Sequence, residues 1–434
     1  MEIQDANSFK NEYKRIAGKR SLYNTVINET MFLVLAGAVM HSQGIFVETQ
    51  SRKDLRIHVL LVQPSRTGKG VSLKILEQAS KMCDLTYADE VVLTDAGLVG
   101  QINPTADEQN KKKGLEPDDE GWQDPVIIGD LGIYDIISFS EGKQMIKLST
   151  HSDDKLEILQ SVMDTPGLLR KRLANGEISY TSNASIVSVT YFLDDFERIF
   201  LEQGIFQRML IVVRKFHPKD WDNLHESLIE APEISDKEFE EELRNFCQCL
   251  MDRIHLMPPG TRLRLDNTAK DFIRKKRNEW VAQIQQDFKG TELEILYSYI
   301  TSCINLFHKI SGIAAVLNNT KIITKRETNF AYPYIRRYMD SIKNEVLNKI
   351  SALSDEKITQ SIIRYINNTT ERNDDGKVID APSYQQIVDA LKSKIPTLTT
   401  HRVDTVLRAM ENNQEIRPLD PRARRNKKYV RTDK

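Results

Sequence analysis

Residues 56–82, RIHVLLVQPSRTGKGVSLKILEQASKM, constrain this chain more than any other stretch. An apolar run from Ile57 to Val62 ends in a polar loop, Gly68 and Lys69 close that loop, and an amphipathic segment follows from Val71. The order is strand, loop, helix. A helix N-terminus offers unpaired backbone N–H groups and the positive end of the peptide dipoles. A loop of small residues in front of it can wrap a phosphate, and a lysine there can reach the outer phosphates. Pro64, Ser65, Arg66, Thr67, Gly68, Lys69, Gly70 and Val71 are therefore the expected phosphate cradle, with ATP and Mg²⁺ as the expected ligands. The spelling departs from G-x-x-x-x-G-K-[ST] at two places. Gln63 replaces the first glycine, and Gly70 replaces the hydroxyl residue that would reach Mg²⁺. Ser72 offers a hydroxyl from a different angle. The plainer alternative is an ordinary β–α turn with a solvated lysine.

A chain of 434 residues predicts two or three domains. With 61 Lys and Arg against 62 Asp and Glu, no overall field draws a polyanion, so nucleic-acid contacts must be local. The four cysteines form no CxxC pair and the eight histidines show no metal-ligand spacing, which points to free thiols in a reducing compartment. The longest apolar run, Met31 to Met40, is too short to span a bilayer and reads as a buried helix. No leader and no membrane partner are expected. The expected place is the cytoplasm of a prokaryotic, viral or mobile-element host cell, with a nucleus left open.

Residues 8–43 carry apolar positions at helical spacing. Strand-like runs follow at 56–62, 90–94, 126–129, 134–139, 184–192 and 209–213, alternating with helical patterns. Such alternation predicts an α/β fold, a mainly parallel sheet with helices on both faces. The polar stretch 104–124 reads as a surface insertion. Residues 232–350 are largely helical, with the acidic patch 236–242 on a solvated face. Residues 351–434 read as a small separate domain with helices at 355–367, 383–394 and 399–413, the last capped by Thr399 or Thr400. Residues 417–434 hold five Arg and three Lys against two Asp, a net of +6. Three helices and a basic ribbon point to a winged helix on duplex DNA. A helical interaction domain with a solvated tail is the alternative.

Triphosphate hydrolysis needs an acid at the end of a neighbouring strand. The run IISFSEG offers Glu141 as the water-polarising base, with Ser140 before it as a candidate Mg²⁺ ligand through water; VIIGD offers Asp130 as a second acid. Asn175-Gly176 is a strong hairpin turn, and Arg170, Lys171 and Arg172 lie on the strand leading to it. A basic hairpin can track a phosphate backbone, or be merely solvated. Thr190 and Tyr191 end a strand and can read the γ-phosphate. Arg208 precedes another strand, where an arginine can reach a neighbour's nucleotide or form a structural ion pair.

The order of these parts resembles the AAA+ motor of the minichromosome maintenance (MCM) replicative helicases, over about residues 50–350. LRIHVLLVQPSRTGKG is similar to the Walker A strand and loop, LTDAGLVGQI to the entry into the helix-2 insert (residues 102–125), and VIIGDLGIYDIISFSEGKQM to the strands leading to the Walker B acids. KLEILQSVMDT resembles the following helix, RLANGEISYTSNAS the pre-sensor hairpin, and FQRMLIVV the arginine-finger motif. The resemblance implies Lys69 on phosphate, Glu141 as base, Thr190 near sensor 1 and Arg208 as finger. It also implies a hexameric ring of identical subunits around a single DNA strand, with ATP-driven translocation or unwinding in replication.

The sequence departs from the family at Gly70 and Ser140, at Asn175 where a basic tip is usual, and at Ser302 in place of the sensor-2 arginine. The family's N-terminal DNA-binding region is not expected here. The expected parts are an N-terminal helical segment (1–50), an AAA+ P-loop core (51–230), a helical lid (231–350) and the winged-helix-like domain (351–434). Two other functions stay open. One is a nucleotide-binding oligomer that holds DNA or a partner with little or no hydrolysis. The other is a phage-type primase–helicase or nucleotide-dependent regulator.

Overall fold

The apolar run before Lys69 becomes the second strand of a five-stranded parallel sheet. Its strands are β1 (His58–Val62), β2 (Tyr87–Asp89), β3 (Ile136–Phe139), β4 (Ser185–Thr190) and β5 (Met209–Val213). Their order across the sheet is β5-β1-β4-β3-β2, every pair parallel. All five residues of β1 and all six of β4 are buried, as strands covered on both faces must be. The structure, a computed structural model, describes residues 3–21, 24–89, 95–117, 119–139, 153–165, 167–173, 176–191, 204–229, 234–288, 290–347, 356–373, 375, 377–394, 400–420 and 427–432.

The expected long helix at 8–43 is two helices, α1 (Ala6–Gly18) and α2 (Thr25–Ser42). Asp5 caps α1 by accepting from the Ser8 amide at 2.9 Å. Thr30 to Met40 are buried without interruption, because α2 is apolar all round from Met31 to Met40 and packs on every side there. By length and composition α2 and Leu293–Leu317 could each cross a membrane, but 72% and 78% of these windows are buried inside the fold. Helix α3 (Lys69–Met82) follows β1 and packs on α2.

The strand expected at 126–129 does not join the parallel sheet. Val126–Ile128 pairs antiparallel with Gly100–Ile102, and helix Pro104–Lys113 lies between them, so the polar insertion has structure of its own. The strand expected at 90–94 lies outside the described residues; β2 precedes it. A second hairpin, Leu168–Leu173 with Gly176–Thr181, is fully paired.

Helices Asp236–His255, Asn267–Asp287, Gly290–Leu317 and Lys325–Ser341 complete this unit. Two begin with reciprocal capping boxes, Ser235 with Glu238 and Thr324 with Glu327. The acidic patch is not only solvated, since Glu242 binds Arg15 of α1 and Lys19 just after it. An unforeseen four-stranded sheet ties Phe46–Glu48 and Arg52–Asp54 to Arg262–Leu265 and Ile322–Ile323. Residues that read as separate N-terminal, core and lid parts therefore belong to one unit, Met1–Glu345.

The second unit is Val346–Lys434. Its helices, Glu356–Thr369, Tyr384–Lys394 and Thr400–Asn412, enclose a core that includes Ile362, Ile387, Leu391 and Leu407. The N-cap expected at Thr399 or Thr400 falls at the edge of the described residues. The tail is not a loose basic ribbon. Tyr429–Arg431 pairs antiparallel with Ile416–Pro418, and Tyr429 and Val430 are buried. Two of its lysines are occupied, Lys427 by Glu411 and Lys428 by Asp380.

Candidate phosphate site at the carboxyl edge of the sheet

Strand β1 delivers the loop 63–68 to the carboxyl edge of the sheet, where the Gln63 amide donates to the Thr190 carbonyl at 3.1 Å. The loop is locked from within. The Thr67 hydroxyl donates to the Pro64 carbonyl at 2.6 Å. Gln63, where the pattern has its first glycine, braces the loop with its side chain. Its buried side-chain amide donates to the Thr67 carbonyl at 2.9 Å and to Asn24 Oδ1 at 3.0 Å. Asn24, at the start of α2, returns a bond from Nδ2 to the Thr67 carbonyl at 3.1 Å.

Gly68 is in the left-handed region at φ 79°, and a Cβ there would stand 2.9 Å from Asn24 Nδ2, so both conformation and space call for glycine. Arg66 also has positive φ, 58°, and points to solvent. Pro64 and Ser65 form the outer turn, and Gly70 and Val71 are exposed on the first turn of α3.

Lys69 is the charged group of the site. Its ammonium donates to the Gln63 carbonyl at 2.8 Å and the Thr190 carbonyl at 3.4 Å. It also lies 4.1 Å from the ring centroid of Tyr191. No carboxylate pairs with it among the described residues. Burial pulls its pKa down to about 8. A half-dehydrated cation facing carbonyl dipoles and an aromatic face would gain from an anion in the same place. Thr190 is buried, with its hydroxyl unpartnered in the same corner. The structure thus brings Lys69, Thr190 and Tyr191 together.

Gly70 has open space where a side chain would stand. The Ser72 hydroxyl is unavailable to a metal: it donates to Asn28 Oδ1 at 2.8 Å and lies 3.1 Å from the Ser21 hydroxyl. Ser140 and Glu141 lie outside the described residues. Strand β3 does lead towards this edge, with Phe139 in register with Ser188 of β4. Asp130 is not an alternative acid. Its short helix, Asp130–Ile133, receives the Ser182 hydroxyl on the Leu131 carbonyl, which places it before the start of β4, at the opposite edge. Among the described residues no cluster of His, Cys, Asp and Glu could hold a metal ion. The cradle therefore fits the phosphate tail of a nucleotide. Among the described residues no carboxylate pairs with Lys69 there, and the unpartnered Thr190 hydroxyl is a side-chain oxygen that Mg²⁺ could use.

No protein-family model and no curated protein matches this chain.

Arg208 is not part of the Lys69 site. It precedes β5, whose first residue Met209 is in register with His58, whereas the phosphate loop follows Val62. Four strand residues, about 13 Å, separate the two levels. Arg208 is held side-on by Asp164, at 2.7 Å from Nε and 2.9 Å from Nη2, and its Nη1 donates to the Gly204 carbonyl at 2.9 Å. Ser302 lines the same cleft with Gln207 and Asn305. The three hairpin cations divide between two faces. Arg170 and Arg172 are exposed on one, while Lys171 alternates with them and is half-buried. Asn175 lies outside the described residues.

The residues that sequence reasoning missed are Asn24, Gln63 as a loop brace, and Arg214. Arg214 leaves β5 next to the loop, reaches Asn24 Oδ1 at 3.4 Å and stacks on Phe216 at 4.6 Å. An asparagine at the start of a helix that turns wholly apolar from Met31 to Met40 was the available signal.

Proposed function

We propose that this chain is an ATP-dependent DNA translocase or helicase subunit of the MCM-like AAA+ type, acting as a ring of identical subunits. The observation that carries the reading is the position of β4. It lies between the strand that delivers Lys69 and the strand whose sequence runs on to Glu141, so a triphosphate on Lys69 would stand beside Thr190. Arg208 at the far edge cannot serve its own chain's nucleotide, which fits a finger directed at a neighbour. The insertion after β2 and the basic hairpin before β4 stand in the order the family resemblance implies. Helices 236–341 fit a lid. The three helices and two-stranded ribbon of the second unit fit a winged helix. ATP enters with Mg²⁺, which would shield the phosphate charge when bound.

A second reading is favoured by Gly70 and by the occupied Ser72 hydroxyl. With no hydroxyl at position 70 and that of Ser72 bound to Asn28, the chain would bind nucleotide, assemble and hold DNA with little phosphate release. Steady-state ATP turnover with and without single-stranded DNA separates the two. The motor reading expects turnover that DNA stimulates and that Lys69→Ala and Arg208→Ala each abolish. Turnover no faster in the wild type than in these variants would refute it.

A further inference from the structure

The basic hairpin and Arg208 share one anchor. Asp164 follows helix Asp153–Met163 and stands three residues before Gly167, where the hairpin begins. Its carboxylate grips Arg208 side-on, and its carbonyl accepts from Arg56 Nη2 at 3.0 Å. Arg56 is wholly buried and binds both feet of the hairpin. Nη1 donates to Val162 and Ser182 carbonyls at 3.1 and 2.9 Å, and to that of Ala184 at 3.3 Å. Asp54 balances its charge at 2.7 Å from Nη2. Gly167, at φ 77°, passes so close that a Cβ would meet the Ser182 carbonyl at 2.7 Å. The hairpin foot is therefore tightly pinned, and Asp164 belongs to the pinned piece.

We infer that Asp164 is a positioning residue that couples the hairpin to Arg208. This inference rests on the reading of the hairpin as a DNA contact and of Arg208 as a finger. A guanidinium has five N–H groups. Among the described residues three are taken, two by Asp164 and one by Gly204, which leaves two for a neighbour's phosphate oxygens. A free arginine on the surface would spread over many rotamers. Asp164 fixes the plane of the fork, and it does so from the foot of the element that would carry the DNA strand. A displaced hairpin shifts the carboxylate, and with it the aim of Arg208.

Amide exchange of the full chain in the absence of any ligand tests the coupling, in Asp164→Ala, Arg208→Ala and the double variant. Exchange within 168–181 is expected to quicken about fivefold in either single variant, the size of a lost half-exposed ion pair. The double variant is expected to show no further increase, and peptides from β1 no change. No change in either single variant, additive changes in the double, or faster exchange throughout the chain would overturn the inference. Turnover supplies a second readout: Asp164→Ala is expected to lose DNA stimulation severalfold, and Asp164→Glu to recover part of it. A wild type that DNA does not stimulate would refute the motor reading, and the exchange pattern alone would then decide the coupling.

Discussion

Lys69 and Arg208 stand at opposite edges of one sheet. Strands β1 and β5 run parallel in register from His58 with Met209 to Val62 with Val213; Lys69 lies beyond the last pair and Arg208 before the first. A phosphate on Lys69 is thus about one strand length from Arg208 of the same chain. Joint action on one nucleotide requires a second copy.

On the proposed reading, the protonation of Lys69 sets nucleotide affinity. Its pKa of about 8 in the free chain means that the ammonium is present below pH 8 and is lost above it. Affinity for a fluorescent ATP analogue is expected to be flat near pH 7 and to fall above pH 8, by at most about tenfold per pH unit. Lys69→Arg, which stays charged, is expected to remove this slope. Equal slopes in both proteins would contradict the assignment.

A hydroxyl restored at position 70 is expected to raise Mg²⁺-dependent turnover severalfold. Gly70 is exposed on the first turn of α3, with nothing within 4 Å of an added Cβ, so Gly70→Thr fits without strain. Turnover of Gly70→Thr equal to that of wild type would mean that the metal draws its ligands from elsewhere.

The anchor at Arg56 is expected to be costly to remove. Arg56→Met strips four carbonyls of their donor, and urea unfolding is expected to show a loss of about 3–5 kcal/mol. Burial alone would raise the Asp54 pKa, but Lys309 and Arg56 outweigh it and hold the carboxyl well below its usual range. Asp54 therefore adds stability above the ordinary carboxylate pKa near 4, and that stability is lost as pH falls below it. Asp54→Asn is expected to flatten the stability curve in this acid range, which urea midpoints at pH 3–5 would measure.

Arg170 and Arg172, both exposed on one hairpin face, are expected to carry the contact with a DNA strand. Replacing both by alanine should weaken binding of single-stranded DNA and lower the log–log salt slope by about 1.4. Lys171→Ala should change the slope less, since Lys171 faces the other way. Fluorescence anisotropy across salt concentrations measures both. An unchanged slope in the double variant would remove the hairpin from the DNA path.

The sheet was legible because a buried parallel strand is a short, mostly apolar and β-branched run: HVLLV is one, and SIVSVT interrupts its Ile and Val only with small hydroxyl residues. The hairpin was legible because Asn-Gly signals a reversal, although Gly176 is already the first residue of the returning strand, paired with Leu173. The four-stranded sheet was not. Phe46–Glu48 and Arg262–Leu265 are short, partly polar, and more than 200 residues apart, so no local pattern announces their pairing. The break between α1 and α2 was missed because apolar spacing continues on both sides of it. At the site, Lys69 and Thr190 were readable from their places after apolar strands. The bracing by Asn24 and Gln63 was not, because it is a tertiary contact between residues 39 apart. Asp130 was misplaced because an acid after an apolar run looks the same at either edge of a sheet. The ribbon at Tyr429–Arg431 was read as a basic tail because its charges outnumber the two residues that anchor it.

The most direct measurement is a structure of the full chain with a non-hydrolysable ATP analogue, Mg²⁺ and single-stranded DNA. The account predicts the γ-phosphate within hydrogen-bond reach of Lys69 Nζ, with Arg208 of an adjoining copy on its other side. A nucleotide bound away from residues 63–71, or a chain that stays monomeric with both ligands present, would contradict it.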